Sequence, residues 1–248
     1  MNPTLTIATY NIHKGMSALN RKHVLPALKR ELDGLGADLV FLQEVQGAHD
    51  RRARRHTDWP DEPQHAYLAG DHHHAYGRNA DYQAGHHGNA LLSRFPIVTT
   101  HNEDLSLHRL ERRGLLHAEL AGASGQPIHA LCVHLNLRAG DRRKQIGAVV
   151  EYIHDAIPTD APLVLAGDFN DWRGEACHPL HHALGLTDAY LALHGQLAPS
   201  FPAHFPVLPL DRIYLRGFHV ERAQVHSGRV WRNLSDHVPL SATVRLTS

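Results

Sequence analysis

The chain has 248 residues, 42% of them hydrophobic, with 25 Lys+Arg balanced by 25 Asp+Glu. These values fit one large globular domain or two small ones, and they exclude wholesale disorder and a membrane bundle, since no apolar run approaches the roughly 20 residues that span a bilayer. A formal net charge of zero gives the whole protein no strong pull toward a polyanion. Two cysteines, Cys132 and Cys177, cannot staple a chain of this size. With no secretory leader pattern in MNPTLTIATYNIHKG, a cytoplasmic, reducing location is expected. The 24 histidines, nearly one residue in ten, make the charge sensitive to mild acid.

In chain order, Leu5–Tyr10 reads as a strand. Val24, Leu25, Leu28, Leu32 and Leu35 recur at helical spacing, with Pro26 tolerable in the first turn and Gly34 and Gly36 as a stop. Leu39–Leu42 suits a buried strand. Residues 46–87 change character: four arginines between Arg51 and Arg55, many histidines and little apolar pattern predict a long irregular insertion with one short helix. Ala90–Leu92, Ile128–Leu135 and Leu163–Ala166 read as strands. Ile146, Val149, Val150, Ile153 and Ile157 form an amphipathic helix. After a Pro-rich loop with Pro199, Pro202, Pro206 and Pro209, strands are expected at Arg212–Leu215 and Val238–Leu246. Strand-rich order with two well-separated helices points to a layered α/β or α+β domain.

The chemistry sits where polar residues follow apolar strands. Asn11 follows the first strand, Glu44 the second, and Asp168 and Asn170 the strand at 163–166. His134 and Asn136 end the strand at 128–135, Asp211 opens the next, and Asp236 and His237 precede the last. Residues i and i+2 of an extended chain share a side, which pairs Asp168 with Asn170, His134 with Asn136, and Asn11 with His13. Glu44, Asp168 and Asp236 are hard oxygen ligands suited to Mg²⁺ or Mn²⁺. His134 and His237 move protons near neutral pH, and Asp211 can fix an imidazole tautomer. Metal ligands, a base and amide donors are what attack of water on a phosphate ester needs.

Five motifs, TYNIH (9–13), FLQE (41–44), GNALLS (88–93), GDFNDW (167–172) and SDH (235–237), with a weaker LDRI (210–213), occur in order over nearly the whole chain. The sequence resembles the endonuclease/exonuclease/phosphatase superfamily, the fold of pancreatic-type deoxyribonuclease and the major abasic-site endonucleases. The resemblance implies a four-layer α/β/β/α sandwich of class α+β, with two mainly antiparallel sheets packed face to face and helices outside, as a single domain over 1–248. It implies a metal-dependent phosphoesterase using one or two Mg²⁺ or Mn²⁺ ions. Glu44 resembles the principal metal ligand, Asn11 the amide beside the metal and phosphate, and Asp236 a further metal-site carboxylate. Asp168 resembles the carboxylate that positions or activates water, and Asn170 the phosphate-orienting amide. His237 resembles the catalytic histidine paired with Asp211, and His134 the second histidine near the phosphate or leaving group. His13 stands where some relatives carry an acidic residue, which weakens a second metal site or shifts its preference.

Arg113 can clamp a phosphate, and Asn136 and His13 complete the candidate phosphate-binding set. Arg138, Arg142 and Arg143 form either a phosphate-facing rim or a solvated helix start. The loop histidines, with Trp59, Tyr67, Tyr76 and Tyr82, either touch substrate or pack locally. The reading is a phosphodiesterase or nuclease acting on DNA or RNA, with a phosphatase or phosphodiesterase on a phospholipid or small phosphorylated metabolite as the alternative. A monomer without a membrane span is expected.

Overall fold

The computed structural model describes residues 4–18, 22–122 and 125–247. In chain order the elements are β1 (Thr4–Asn11), α1 (Leu25–Gly34), β2 (Leu39–His49), α2 (Asp50–Arg55), α3 (Gln64–Ala69), β3 (His73–Tyr82), β4 (Gly85–Ser93), β5 (Ile97–Asp104), β6 (Gly114–Leu120), β7 (Ile128–His134), α4 (Ala139–Ala156), β8 (Leu163–Asp168), α5 (Cys177–Leu184), β9 (Thr187–Asp188), α6 (Ala189–His194), β10 (Asp211–Arg216), β11 (Phe218–Val225) and β12 (Leu240–Leu246).

The strands form two six-stranded sheets, ordered β11-β12-β1-β2-β4-β3 and β5-β6-β7-β8-β10-β9. In each, a single parallel pair lies at the centre and the other neighbours are antiparallel: β1 with β2 in the first, β7 with β8 in the second. Parallel neighbours need a crossover, and α1 and α4 supply the two.

Alternation along the strands builds the layers. In β1, Leu5 and Ile7 face the other sheet, while Ala8 and Tyr10 face outward toward Leu25, Leu28 and Leu32 of α1. In β8, Val164 and Ala166 point inward, and Leu163 and Leu165 meet Ile146, Val149 and Ile153 of α4. One apolar layer thus lies between the sheets and one under the helices on each side, the expected α/β/β/α sandwich. Each fully buried Leu, Ile or Phe in these layers contributes about 1.5–3 kcal/mol.

Two local expectations are corrected. Residues 46–87 are not irregular, since they hold the end of β2, α2, α3, β3 and the start of β4. The strand signal was hidden because β3 is an edge strand that shows most of its side chains to solvent, with only Ala75 and Gly77 buried. Arg142 and Arg143 lie inside α4, which starts earlier than the apolar period suggested, and Arg142 is buried rather than rim-forming.

Candidate active site

The site is the polar end of the layer between the sheets. In β8 the inward positions Val164 and Ala166 continue to Asp168. In β7 the inward Ala130 and Cys132 continue to His134, and in β10 the inward Ile213 and Leu215 lead back to Asp211. Register sets these side by side, with Asp168 opposite Asp211 on one flank and His134 on the other. The opposite sheet contributes Asn11, the last residue of β1.

Backbone special positions aim the remaining groups. Register breaks between Leu42 and Val45, and Glu44 sits there at φ +58°, so a bulge turns its carboxylate out of the strand's alternation. Asn170 at φ +50° uses the left-handed conformation that asparagine tolerates. Gly167, at φ +148°, has no room for a side chain: a Cβ would lie 2.0 Å from the Val133 carbonyl oxygen.

Asn11, Glu44, Arg113, His134, Asp168, Asn170, Asp236 and His237 line one cavity of about 340 Å³. A roomier groove of about 790 Å³ lies between α4 and α5, lined in part by Arg143, Val150, His178 and His182. It lacks the converging carboxylates and amides, so the smaller cavity is the candidate site.

At the floor, Asp168 Oδ2 accepts from Asn11 Nδ2 at 3.0 Å and Oδ1 accepts from the Asn170 backbone N–H at 2.9 Å. His134 Nε2 is 3.4 Å and His237 Nε2 3.7 Å from Asp168 Oδ2. The other ring nitrogen of His237 is bonded to Asp211 Oδ2 at 2.7 Å. Asp211 is held in turn through Ser200, whose Oγ accepts from the Leu210 and Asp211 N–H groups. Asn170 Nδ2 donates to the Leu135 carbonyl at 2.9 Å. Ser235 Oγ donates to the Asn11 carbonyl at 2.7 Å and accepts from the His237 N–H, tying the end of β1 to the segment that leads into β12.

Burial pushes the Asp168 carboxyl up to about 6, against the pull of His237. Burial alone would discharge His237, but Asp211 and Asp168 outweigh it and raise the imidazole to about 10, so the ring is an imidazolium at neutral pH. His134 goes the other way: burial, then Arg113 and the charge on His237, keep it neutral.

A second group stands beside the floor. His13 Nδ1 lies 3.3 Å from Asp236 Oδ1 and 4.0 Å from Glu44 Oε2, and Lys14 Nζ lies 3.0 Å from Glu44 Oε2. Burial raises both carboxyls, but Lys14 more than offsets this for Glu44 and His13 for Asp236, so both stay ionised. His13 Nε2 is buried without a hydrogen-bond partner. Two ionised carboxylates from different sheet positions, with the Asn11 amide next to them, form a hard-oxygen donor set that fits a divalent cation. Asp168, Asp211 and His237 also bring ligand atoms within 4.8 Å of one another. There the Nδ1 of His237 is already hydrogen-bonded to Asp211, which leaves the triplet suited to passing protons and Glu44 with Asp236 as the better candidate ion site.

Of the sequence candidates, Asn136 does not line the cavity. It is buried, and its Oδ1 accepts from Gln145 Nε2 at 3.1 Å, which fixes the loop after β7. Arg113 reaches the cavity while its Nη2 pairs with Glu111 at 3.1 Å. Trp59 packs against His23 at 4.9 Å, Tyr76 stacks on His65 at 4.4 Å, and the Tyr82 hydroxyl accepts from Gln46, so these rings serve local packing. The sequence reading gave no role to Lys14, Ser200, Ser235 or Arg212, and it placed Arg142 on a rim or helix start rather than in the buried support of the site. Arg142 donates to the Leu137 carbonyl and lies 4.7 Å from the Trp172 ring centroid. Arg212 donates to the carbonyls of Pro209, Asp211 and Asp171. Lys14 and Ser235 lie next to or inside the motifs TYNIH and SDH, and Arg212 lies inside LDRI; the burial of the two arginines carries no sequence signal, because a buried arginine and a surface one look alike in a row of letters.

The description "Endonuclease/Exonuclease/phosphatase family" matches residues 8–237. The chain is 43% identical over 243 residues to the uncharacterized protein YbhP of Escherichia coli, covering 97% of this chain and 96% of that protein. Among solved structures it superposes on the human Nocturnin catalytic domain with bound sulfate anion (TM-score 0.75, 21% identity, 99% of this chain and 94% of that one). It also superposes on D. rerio TDP2 complexed with single strand DNA product (TM-score 0.70, 20% identity, 98% and 100%).

Proposed function

The chain belongs to the Endonuclease/Exonuclease/phosphatase family, and we propose that it hydrolyses phosphate esters with a divalent ion, Mg²⁺ or Mn²⁺, held by Glu44, Asp236 and Asn11. The observation that carries this reading is the buried Asp168, hydrogen-bonded by Asn11 and Asn170 and flanked by His134 and the His237–Asp211 pair. Bound between the two carboxylates, the ion would supply Lewis-acid stabilisation of charge on the phosphate.

The side chains divide the rest of the work. Asp168 orients a water molecule and takes its proton as the new P–O bond forms and the P–O bond to the leaving alcohol breaks. The His237 imidazolium, oriented by Asp211, donates to a phosphate oxygen where negative charge grows. Neutral His134 hydrogen-bonds the leaving oxygen through its N–H, and that oxygen takes up the proton Asp168 gained from the water and departs as the alcohol. Arg113 adds positive charge at the cavity wall.

Two substrate readings rest on separate observations. DNA or RNA is supported by the fold neighbour captured with single strand DNA product. A phospholipid or small phosphorylated metabolite is supported by the apolar side chains at the cavity mouth, among them Leu137, Trp172 and Leu208. No helix among the described residues is long and apolar enough to cross a membrane. The free cysteines fit a cytoplasmic location.

The test is turnover of bis(p-nitrophenyl) phosphate and nicking of supercoiled plasmid, with and without Mg²⁺ or Mn²⁺, beside a His237→Ala control. Metal-dependent turnover of the small diester that the variant lacks is expected. Equal turnover by the variant would sink the assignment of the site.

A further inference from the structure

Three loops and one long connection meet at the cavity. The loop 105–113 between β5 and β6 ends at Arg113, the segment 135–138 follows β7, the segment 169–173 follows β8, and the connection 199–210 precedes β10. Each is pinned at its base. Leu105 and Ser106 bond to Arg113, Leu137 is anchored by Arg142, Arg142 lies against the Trp172 ring, and Ala203 N–H donates to the Asp236 carbonyl.

Beyond these anchors the loops present bare apolar tips. Leu110 is fully exposed, Phe205 75%, Leu137 61%, Val207 53%, and Trp172 and Leu107 each 41%. Seven of the twelve large apolar side chains exposed among the described residues belong to these loops. A monomeric protein scatters such residues, and their concentration around one cavity marks an interaction surface.

Basic charge predominates around the tips, with Arg112 3.7 Å from Asp104 and Arg113 3.1 Å from Glu111. Arg109, Arg112, Arg138 and Arg173 are exposed in the same loops, with Arg113 on the cavity wall, against Glu111 and the buried aspartates of the floor. The connection 199–210 carries no Lys, Arg, Asp or Glu. A chain with zero net charge thus gathers basic residues and apolar tips on one face.

We propose that this face docks on an anionic phospholipid surface, and that the phosphate ester cleaved in the cavity is a headgroup phosphodiester presented by that surface. The proposal rests on the phosphoesterase reading and narrows its substrate. Four of the six tips named are aliphatic: they cannot stack on bases, but they partition into the boundary between headgroups and acyl chains. The interleaved arginines meet anionic headgroups at the depth where the surface potential acts. A strand of nucleic acid would instead call for a continuous basic track with aromatic platforms. The reaction balances as in solution: water's oxygen bonds to phosphorus, the P–O bond to the headgroup alcohol or to the glycerol side breaks, and that oxygen leaves protonated.

The experiment uses the full chain with sucrose-loaded vesicles of phosphatidylcholine alone or mixed with phosphatidylglycerol. It scores co-sedimentation, release of headgroup or phosphorylated headgroup, and, separately, turnover of soluble bis(p-nitrophenyl) phosphate. Wild type is expected to sediment with the mixed vesicles and to cleave their lipid. The double variant Leu110→Glu/Phe205→Glu is expected to lose about tenfold in partition and cleavage, while keeping turnover of the soluble diester. Both positions are exposed, and the soluble assay reports that the variant is folded. Wild type left in the supernatant, equal sedimentation of the double variant, or docking without lipid cleavage by protein that turns over the soluble diester would each overturn the proposal. So would a fluorescent single-stranded oligonucleotide bound by wild type and released by the double variant, or a dimer in sedimentation velocity that the variant dissociates. A failure of the phosphoesterase reading looks different: vesicle binding persists while no phosphate ester, soluble or lipid, is turned over.

Discussion

At the floor of the cavity Asp168, Asp211 and His237 are almost wholly buried, and each is hydrogen-bonded to a neighbour that is itself held. At the mouth, a few residues away along the same loops, Leu110, Phe205 and Val207 are exposed with nothing packed over them. The two regions obey opposite economies. A buried ionised group must be paired, so every floor residue depends on its neighbours and any change spreads. An exposed apolar tip depends on nothing within the chain, so its loss is felt only by whatever the protein meets. The contrast separates turnover from encounter and makes the two separately breakable.

The largest break is at the floor. Asp168→Asn keeps shape and removes the proposed proton acceptor, so kcat on bis(p-nitrophenyl) phosphate should fall about 10³-fold. Asp211→Asn leaves His237 in place but unsupported, and a loss of about 10² is expected, since the aspartate acts through the ring. Equal losses in the two would show that Asp211 does more than hold and charge the imidazole.

Next in size is a change to the backbone under the floor. Gly167→Ala must push its new methyl against the Val133 carbonyl at a positive φ, and a loss of about 2–3 kcal/mol in urea unfolding is expected. Unfolding midpoints equal to wild type would mean that β7 and β8 separate more easily than the register suggests.

A third test concerns acid. Burial holds His65 and His117 down to about 4, with neighbouring histidines adding to the effect. In the unfolded chain these rings titrate near 6.5. Between those values the unfolded state binds more protons, so stability is fully present above about pH 6.5 and is lost as pH falls toward 4. Urea titrations stepped through that window should show the decline, and His65→Gln/His117→Gln should flatten it. A wild-type stability that is level from pH 7 to 4.5 would refute the linkage.

The smallest effect is at the mouth. Phe205→Ser should change stability by less than about 0.5 kcal/mol and leave turnover of a soluble diester unaltered. A larger loss would mean that the connection 199–210 supports the His237 ring, which lies 5.1 Å from Phe201 in the same loop.

Much of the floor was legible in the sequence because polarity there breaks a strand's alternation. Asn11, His134, Asp168 and Asp211 occupy inward positions whose predecessors or successors are Ile, Ala, Cys or Leu, and a period of two exposes such a change at once. The site's supports were not legible. Ser200 works through an oxygen facing two backbone N–H groups, and Arg142 and Arg212 through backbone carbonyls of the segments after β7 and β8 and before β10. Those contacts arise only after the chain has folded around them. The region 46–87 failed for a different reason: an edge strand such as β3 needs one small inward face, and Ala75 and Gly77 leave almost no hydrophobic signature. The mouth was invisible too, since exposed leucines in a sequence are indistinguishable from buried ones.

One feature of the topology bears on how the protein is made. All strands of the second sheet fall between residues 97 and 216, so that sheet can close during synthesis, whereas the first sheet waits for β12 to be inserted beside β1 across a separation of more than 220 residues. His237 arrives immediately ahead of that strand. A nascent chain therefore carries Glu44 and Asp168 well before it carries the imidazole they work with, and acquires that group in nearly the same step that seals its first sheet. On the proposed reading, hydrolytic competence is in this way tied to the completion of folding, so that prematurely released fragments would be inert.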